Sequence, residues 1–337
     1  MDIQTYMKQL MEQLEKLNLN DREQIREYFE EMLYDRMEHG EDILKTIGTP
    51  EQAAHKLKLE YESYLDNNAT LNASPIKPLE QNQISLKEET TSDTMLSSLC
   101  SIIVEAQNTK IIVKREPIAY PEVDFEPIKN IDDFSISKEN HCFHVVHRMK
   151  KMWFFNPFGF QKTRELILKI PETFSGNVSL ETCNSSIAIH GFHHLNSLWA
   201  KTSNSKITAE QLTANEIELT TSNSSIHANH IFSENLIAHT SNSKIHGENI
   251  DCSEEVTLST SNGTIEVLHL CGKNIDLHTS NAPIKGSITG SIMDYNITSH
   301  TSNSSSTLPT HMNTKGEKNL RVRTTNAKIN ITFEEDQ

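Results

Sequence analysis

From Thr182 to Asn326, apolar and polar positions alternate in short runs that restart at a fixed place, a Thr-Ser-Asn corner or a close variant of it. The corner asparagines are Asn184, Asn204, Asn223, Asn242, Asn262, Asn281, Asn303 and Asn326, 19 to 23 residues apart. Six residues before each stands an aliphatic side chain: Val178, Leu198, Ile217, Leu236, Val256, Ile275, Ile297 and Leu320. Four before come Leu180, Ala200, Leu219, Ala238, Leu258, Leu277, Ser299 and Val322, and three after come Ile187, Ile207, Ile226, Ile245, Ile265, Ile284, Ser306 and Ile329. Alternation of this kind marks half-buried strands, so two strands meet at each corner. A period near 20 residues predicts stacked coils, a parallel β-solenoid in which like residues lie about 4.8 Å apart. Asparagine tolerates the left-handed backbone of a sharp bend, and the residue after it is always Ser, Gly or Ala. Stacked asparagines can also pass amide hydrogen bonds from coil to coil. The eight corner asparagines are therefore expected to form a structural ladder, not a binding motif.

The same template fits earlier residues around Asn108, with Ile102 and Val104 before it and Ile111 and Val113 after it, so the solenoid is expected to begin there. Phe143–Val146 and Glu165–Ile170 read as further strands that cap the N-terminal end and enclose an insertion hairpin at about 147–164. The coil around Asn303 interrupts the columns with Ser299, Ser306 and Pro309, which suggests looseness near the C-terminal end.

Residues 1–65 carry a helical period instead. A first helix from about Ile3 to Leu17 presents Tyr6, Leu10, Leu14 and Leu17 on one face. Asn20 and Glu23 form a capping-box-like pair before a second helix with Ile25, Tyr28, Phe29, Met32 and Leu33 on its apolar face. Gly40 ends that helix, and a short third one carries Ile43, Leu44 and Ile47 up to Gly48. Thr49 then caps a fourth helix with Pro50 in its first turn. Residues 66–94 are a polar linker rich in Asn, Gln, Glu, Ser and Thr, and 95–334 form the solenoid domain. The fold class is thus multidomain α plus β: a small helical bundle followed by a parallel β-solenoid.

The segments Tyr28-Phe29-Glu30-Glu31 and Ile47-Gly48-Thr49-Pro50-Glu51, with Ala53 and Ala54 after them, resemble the bacterial HAAS signalling domain over nearly all of residues 1–65. The recurring Thr-Ser-Asn-small-x-Ile unit, with Lys169-Ile170-Pro171 leading into it, resembles the bacterial toastrack domain, an adhesin-like β-strand repeat, over about 95–334. The resemblance implies regulation, not chemistry: components of envelope-stress and phage-shock-like systems, with HAAS modules associated with PadR-like transcription regulators. Many such proteins place transmembrane helices between the two domains. The polar stretch 66–94 departs from that pattern, so any membrane role is expected to be peripheral or through a partner.

Composition narrows the function classes. A net charge of -15 argues against direct nucleic-acid binding. The start of the chain lacks the basic end and apolar run of a signal peptide, and Met95–Val104 is too short to span a bilayer. Five cysteines without a C-x-x-C spacing read as reduced thiols, so a cytoplasmic location is expected, possible contact with the inner face of the membrane included. One segment stands out against this acidic background. Trp153, Phe154, Phe155, Phe158 and Phe160 are flanked by Arg148, Lys150, Lys151, Lys162 and Arg164. Such a cluster suits a lid over the solenoid end, a protein-docking patch or the interface of an anionic bilayer, and all three stay open at the level of sequence.

Histidines at equal offsets, His227 with His246 and His278 with His300, are expected to stack in successive coils, but without a carboxylate or cysteine column they make a poor metal site. No nucleophile elbow and no Gly-rich phosphate loop occurs, so no catalytic residue, metal or cofactor is assigned. The expected function is a non-enzymatic regulatory scaffold whose helical domain binds a regulator while the solenoid meets an envelope-associated partner. The alternative is a structural, adhesin-like or self-assembling module.

Overall fold

A computed structural model describes residues 3–15, 47–58, 99–128, 132–149 and 164–334, together with positions 22, 26, 29, 33 and 45. The chain divides into two compact units, one drawn mainly from residues 1–89 and one mainly from 90–337.

In the helical unit, α1 (Ile3–Gln13) buries Ile3, Tyr6, Met7 and Leu10, one stripe at helical spacing. With Leu14 they pack in a single cluster against Phe29, Leu33, Ile47, Ala53, Ala54 and Leu57. The helix ends earlier than its period suggests, turning at residues 14 and 15; Leu17, Asn20, Glu23, Tyr28, Gly40 and Ile43 lie outside the described residues. A second described helix, α2, covers 50–58. Its start is built as a capping box: the Gln52 amide donates to Thr49 Oγ1 at 3.3 Å and the Thr49 amide to Gln52 Oε1 at 3.0 Å. Just before it Gly48 takes a left-handed φ of 93°. The Tyr6 hydroxyl donates to the Gly48 carbonyl at 3.0 Å, which fastens α1 to this turn. Burial, and then the Glu51 carboxylate, push the Tyr6 pKa up to about 12.

The β unit begins with β1 (Ser101–Ala106), β2 (Thr109–Glu116), β3 (Glu122–Asp124), β4 (Asp132–Glu139), β5 (Cys142–Met149) and β6 (Arg164–Pro171). The regular array follows as β7 (Asn177–Thr182), β8 (Ile187–Lys201), β9 (Ile207–Thr220), β10 (Ile226–Thr240), β11 (Ile245–Thr260), β12 (Ile265–His278) and β13 (Ile284–Thr289). It closes with β14 (Tyr295–Thr301), β15 (His311–Met312), β16 (Lys318–Thr324) and β17 (Ile329–Glu334). From β7 to β13 each strand pairs in parallel with the next, and the three apolar columns line a continuous core in which Ile207, Ile226, Ile245 and Ile265 are each 0 % exposed.

Each residue of the corner has its own bond. The threonine is buried and donates its hydroxyl to the carbonyl following the asparagine of the neighbouring coil: Thr221 to Ser205 at 3.0 Å, Thr240 to Ser224 at 2.9 Å, Thr279 to Gly263 at 3.1 Å. The backbone amides of Ser222 and Asn223 both donate to the Ser203 carbonyl at 3.1 Å. The asparagine amide donates to the asparagine oxygen of the adjacent coil, as from Asn223 to Asn204 at 2.6 Å and from Asn242 to Asn223 at 2.7 Å. None of the eight is left-handed; among the asparagines that begin coils, only Asn108 has positive φ, at 50°. The left-handed positions form a second column seven residues further on, at Gln211, His230, Asn249 and His269, with φ between 52° and 55°. There β9 to β12 turn without leaving the sheet.

At both ends the coils stack out of chain order. β1 lies between β5 and β7, and β2 between β6 and β8, so the first coil in sequence is the second in space. At the other end β16 lies between β12 and β14, and β17 between β13 and the bridge at Ser306. The asparagine bonds follow the same order: Asn326 donates to Asn281 and Asn303 to Asn326. His278 and His300 are consequently not stacked, because Arg323 pairs with both and lies between them. The coil around Asn303 is the terminal one and is not loose. Buried Ser299 donates to the Pro309 carbonyl at 2.9 Å and Ser306 to the Leu308 carbonyl at 3.1 Å, so the serines bind the capping loop where other coils bind a neighbour.

Short antiparallel strands cover the outer edges. β3 pairs with β6 at one end and β15 with β14 at the other. A two-residue turn at Asn140 (φ 52°) and His141 (φ 62°) joins β4 to β5, the positive pair that tight hairpins use.

Candidate interaction surfaces

The basic aromatic segment is positioned by its flanks. β5 and β6 run parallel to β1 and β2, which are consecutive arms of one coil joined by the Asn108 corner. The segment between β5 and β6, residues 150–163, lies outside the described residues, and with it Lys150, Lys151, Trp153, Phe154, Phe155, Phe158, Phe160 and Lys162. Arg148, one residue before the end of β5, has an exposed side chain 3.7 Å from Glu105. Arg164 opens β6, donating to the Glu126 carbonyl at 3.0 Å, with its guanidinium 4.9 Å from the centre of the Phe125 ring.

A different set of aromatics lies against the N-terminal end, one that the repeat pattern does not mark. Phe125 packs on Phe134 at 5.0 Å and on the His147 ring at 4.8 Å, while Tyr120 meets Phe143 edge-on at 5.9 Å. His147 occupies the column that threonine fills elsewhere, in register through Ala106 with Thr182, and its Nδ1 bonds Thr109 Oγ1 at 3.1 Å.

On the outward face after the corners, His227 and His246 stack with ring centres 5.6 Å apart. Burial, then Lys206 and His246, lower the His227 pKa, which opposes a shared proton on this pair. Beside them Glu266 accepts from Lys244 and, at 2.8 Å, from Lys285; these two bonds hold its carboxyl down at about 2. Three coils are thereby tied by charge. A groove of about 540 Å³ lies towards the N-terminal end, where Ala188 and Thr208 are small, between Lys114, His190 and Glu210. His190 is already 3.8 Å from Glu210. Among the described residues no group of three or more His, Cys, Asp or Glu is placed to hold a metal. No disulfide joins the five cysteines; Cys252 is buried, which pushes its thiol up to about 11.

A second polar ladder, missed from the repeat, runs along another edge: Asn196 donates to Asn177 at 2.6 Å, Asn235 to Glu216 at 2.8 Å and Asn319 to Asn274 at 2.8 Å. Its signal in the sequence is an Asn or Glu seven or eight residues before the corner asparagine. Among the described residues no helix is long and apolar enough to cross a membrane.

Comparison with known proteins finds two family models. Residues 121–332 match Toastrack DUF4097 and residues 5–56 match HAAS. No curated protein matches the chain. Among solved structures, that of a candidate cell adhesion protein from Clostridium sporogenes ATCC 15579 aligns at 7 % identity over 70 % of this chain and 92 % of that one, with a TM-score of 0.25, too loose a likeness to bear on function.

Proposed function

The chain belongs to the Toastrack DUF4097 family and carries a HAAS module at its N-terminus, and on that footing we propose that it is a non-enzymatic regulatory scaffold of bacterial envelope-stress signalling. In this proposal residues 1–65 bind a transcription regulator of the PadR-like type. The solenoid meets an envelope-associated partner, or the inner face of an anionic membrane, through the segment that begins at Arg148 and ends at Arg164. The protein acts in the cytoplasm.

The observation that carries the scaffold reading over a self-assembling one is the closure of both solenoid ends by antiparallel strands, β3 on β6 and β15 on β14. Open parallel edges invite copies to add end to end, and covered edges oppose it. The division of labour is tested by deleting residues 1–65 and measuring capture of PadR-like regulators alongside the thermal transition of the solenoid. Capture should be lost while the transition stays in place. Capture at full strength by the shortened chain would reject the assignment.

A further inference from the structure

The out-of-order last coil brings together side chains that chain order keeps apart. On the outward face before the corners, His239, Ser259, His278, Arg323 and His300 are register partners on β10, β11, β12, β16 and β14. They form one straight row across five adjacent strands, each position about 4.8 Å from the next, so the row is roughly 19 Å long. Every member carries a hydrogen-bond donor and none is an acid. His239, His278, Arg323 and His300 are all exposed. Arg321 stands two residues before Arg323 on the same face, and His311 of the capping strand β15 pairs opposite Thr298, extending the cationic surface to the end of the solenoid.

Three carboxylates flank the row, and each has a hydrogen-bond or ion-pair partner. Asp276, on β12, lies 3.6 Å from Arg321 Nη1 and 3.2 Å from Arg323 Nη2, so one carboxylate is shared between two guanidiniums. Glu255 accepts from Thr257 at 2.8 Å, and Glu218 lies within 3.5 Å of the Thr220 hydroxyl. His239 Nδ1 bonds Ser259 Oγ at 2.8 Å and His300 Nε2 bonds Ser302 Oγ at 3.2 Å, which leaves the other nitrogen of each ring for a ligand. In a chain of net charge -15 this face brings two guanidiniums and three imidazoles together on adjacent strands.

We propose that this row binds a linear polyanion with repeated phosphate groups and no bases, laid along the solenoid axis. A rigid, evenly spaced line of hydrogen-bond donors, basic at four of its five positions, favours a ligand whose charges also repeat, because each further phosphate engages another rung already in place. Between Ile237 and Thr298 the outward neighbours of the row include no Phe, Tyr or Trp, which leaves only the row's own imidazole and guanidinium planes for a base to stack on and favours a base-free chain over a nucleic acid. Because protonation adds positive charge to an imidazole, binding should tighten as pH falls. The proposal does not depend on the role assigned to the helical domain.

The test is fluorescence anisotropy of labelled inorganic polyphosphate with the full-length protein at about pH 6 and about pH 8, over a range of salt. The expected result is saturable binding at the lower pH, weaker by roughly tenfold or more at the higher one, with affinity falling as salt rises. The variant His239→Gln/His278→Gln/His300→Gln leaves the Asp276 contacts intact and should sharply reduce the pH dependence, with His311 alone remaining; Arg323→Gln should weaken binding at both pH values. Unlabelled orthophosphate should compete poorly, and single-stranded DNA and phosphatidylglycerol vesicles should bind more weakly than polyphosphate. No polyphosphate binding at about pH 6, unchanged binding by a folded triple-Gln variant, or equal binding of DNA or vesicles through the same residues would each overturn the proposal.

Discussion

Thr240 shows how much one position in the repeat does. Its side chain is fully buried, and its hydroxyl finds the Ser224 carbonyl at 2.9 Å. Replacing it with valine keeps the shape and removes the donor, so Thr240→Val should cost about 1 kcal/mol, while Ser241→Ala next to it should cost less than about 0.5 kcal/mol. Urea unfolding of the two variants decides the matter, and equal costs would mean that the threonine column serves packing alone. Glu266 gives a residue-scale prediction in pH. Its folded pKa of about 2 lies below the ordinary 4.5, so the unfolded chain takes up the proton first as pH drops. The stabilisation from Lys244 and Lys285 is thus fully present above about pH 4.5 and lost as pH falls towards about 2. The effect is modest because the lysines are partly solvated. In a plot of stability against pH, Glu266→Gln should flatten that interval, lying modestly below the unaltered protein at neutral pH and converging with it towards about pH 2; a parallel curve would disprove the linkage.

At the scale of the element, the arms of each coil were legible because every turn of the repeat writes the same apolar column again. The second bend was not. Gln211, His230, Asn249 and His269 share a left-handed backbone but no side-chain type, so only a common offset from the asparagine connects them. The mistaken pairing of His278 with His300 has a related cause. All coils present nearly the same core, so any coil can stack on any other, and sequence order is a poor guide where the chain doubles back at the ends. The capping strands explain why stacking stops. Met312 of β15 pairs with Ile297 and packs against the core, closing the edge of β14. Met312→Asp should loosen this cap and expose the edge, giving concentration-dependent association in sedimentation velocity, where the unaltered protein should stay a monomer. A variant that remained monomeric would mean that the loop around Leu308 and Pro309 blocks the edge by itself.

For the whole molecule, the two kinds of period, helical before residue 65 and coiled after 95, were enough to anticipate a helical module joined to a solenoid. Function was legible only through family likeness. The basic aromatic segment was conspicuous by composition, whereas the cationic row was invisible, since it exists only once β16 has slipped between β12 and β14. That placement has a mechanical consequence. The first arm of the β unit, β1, and the last full coil, β16 with β17, are each held by neighbours on two sides. A pull on β1 or on β16 therefore meets a ladder on each side, and drawing either strand out breaks two ladders together where an outermost strand would break one.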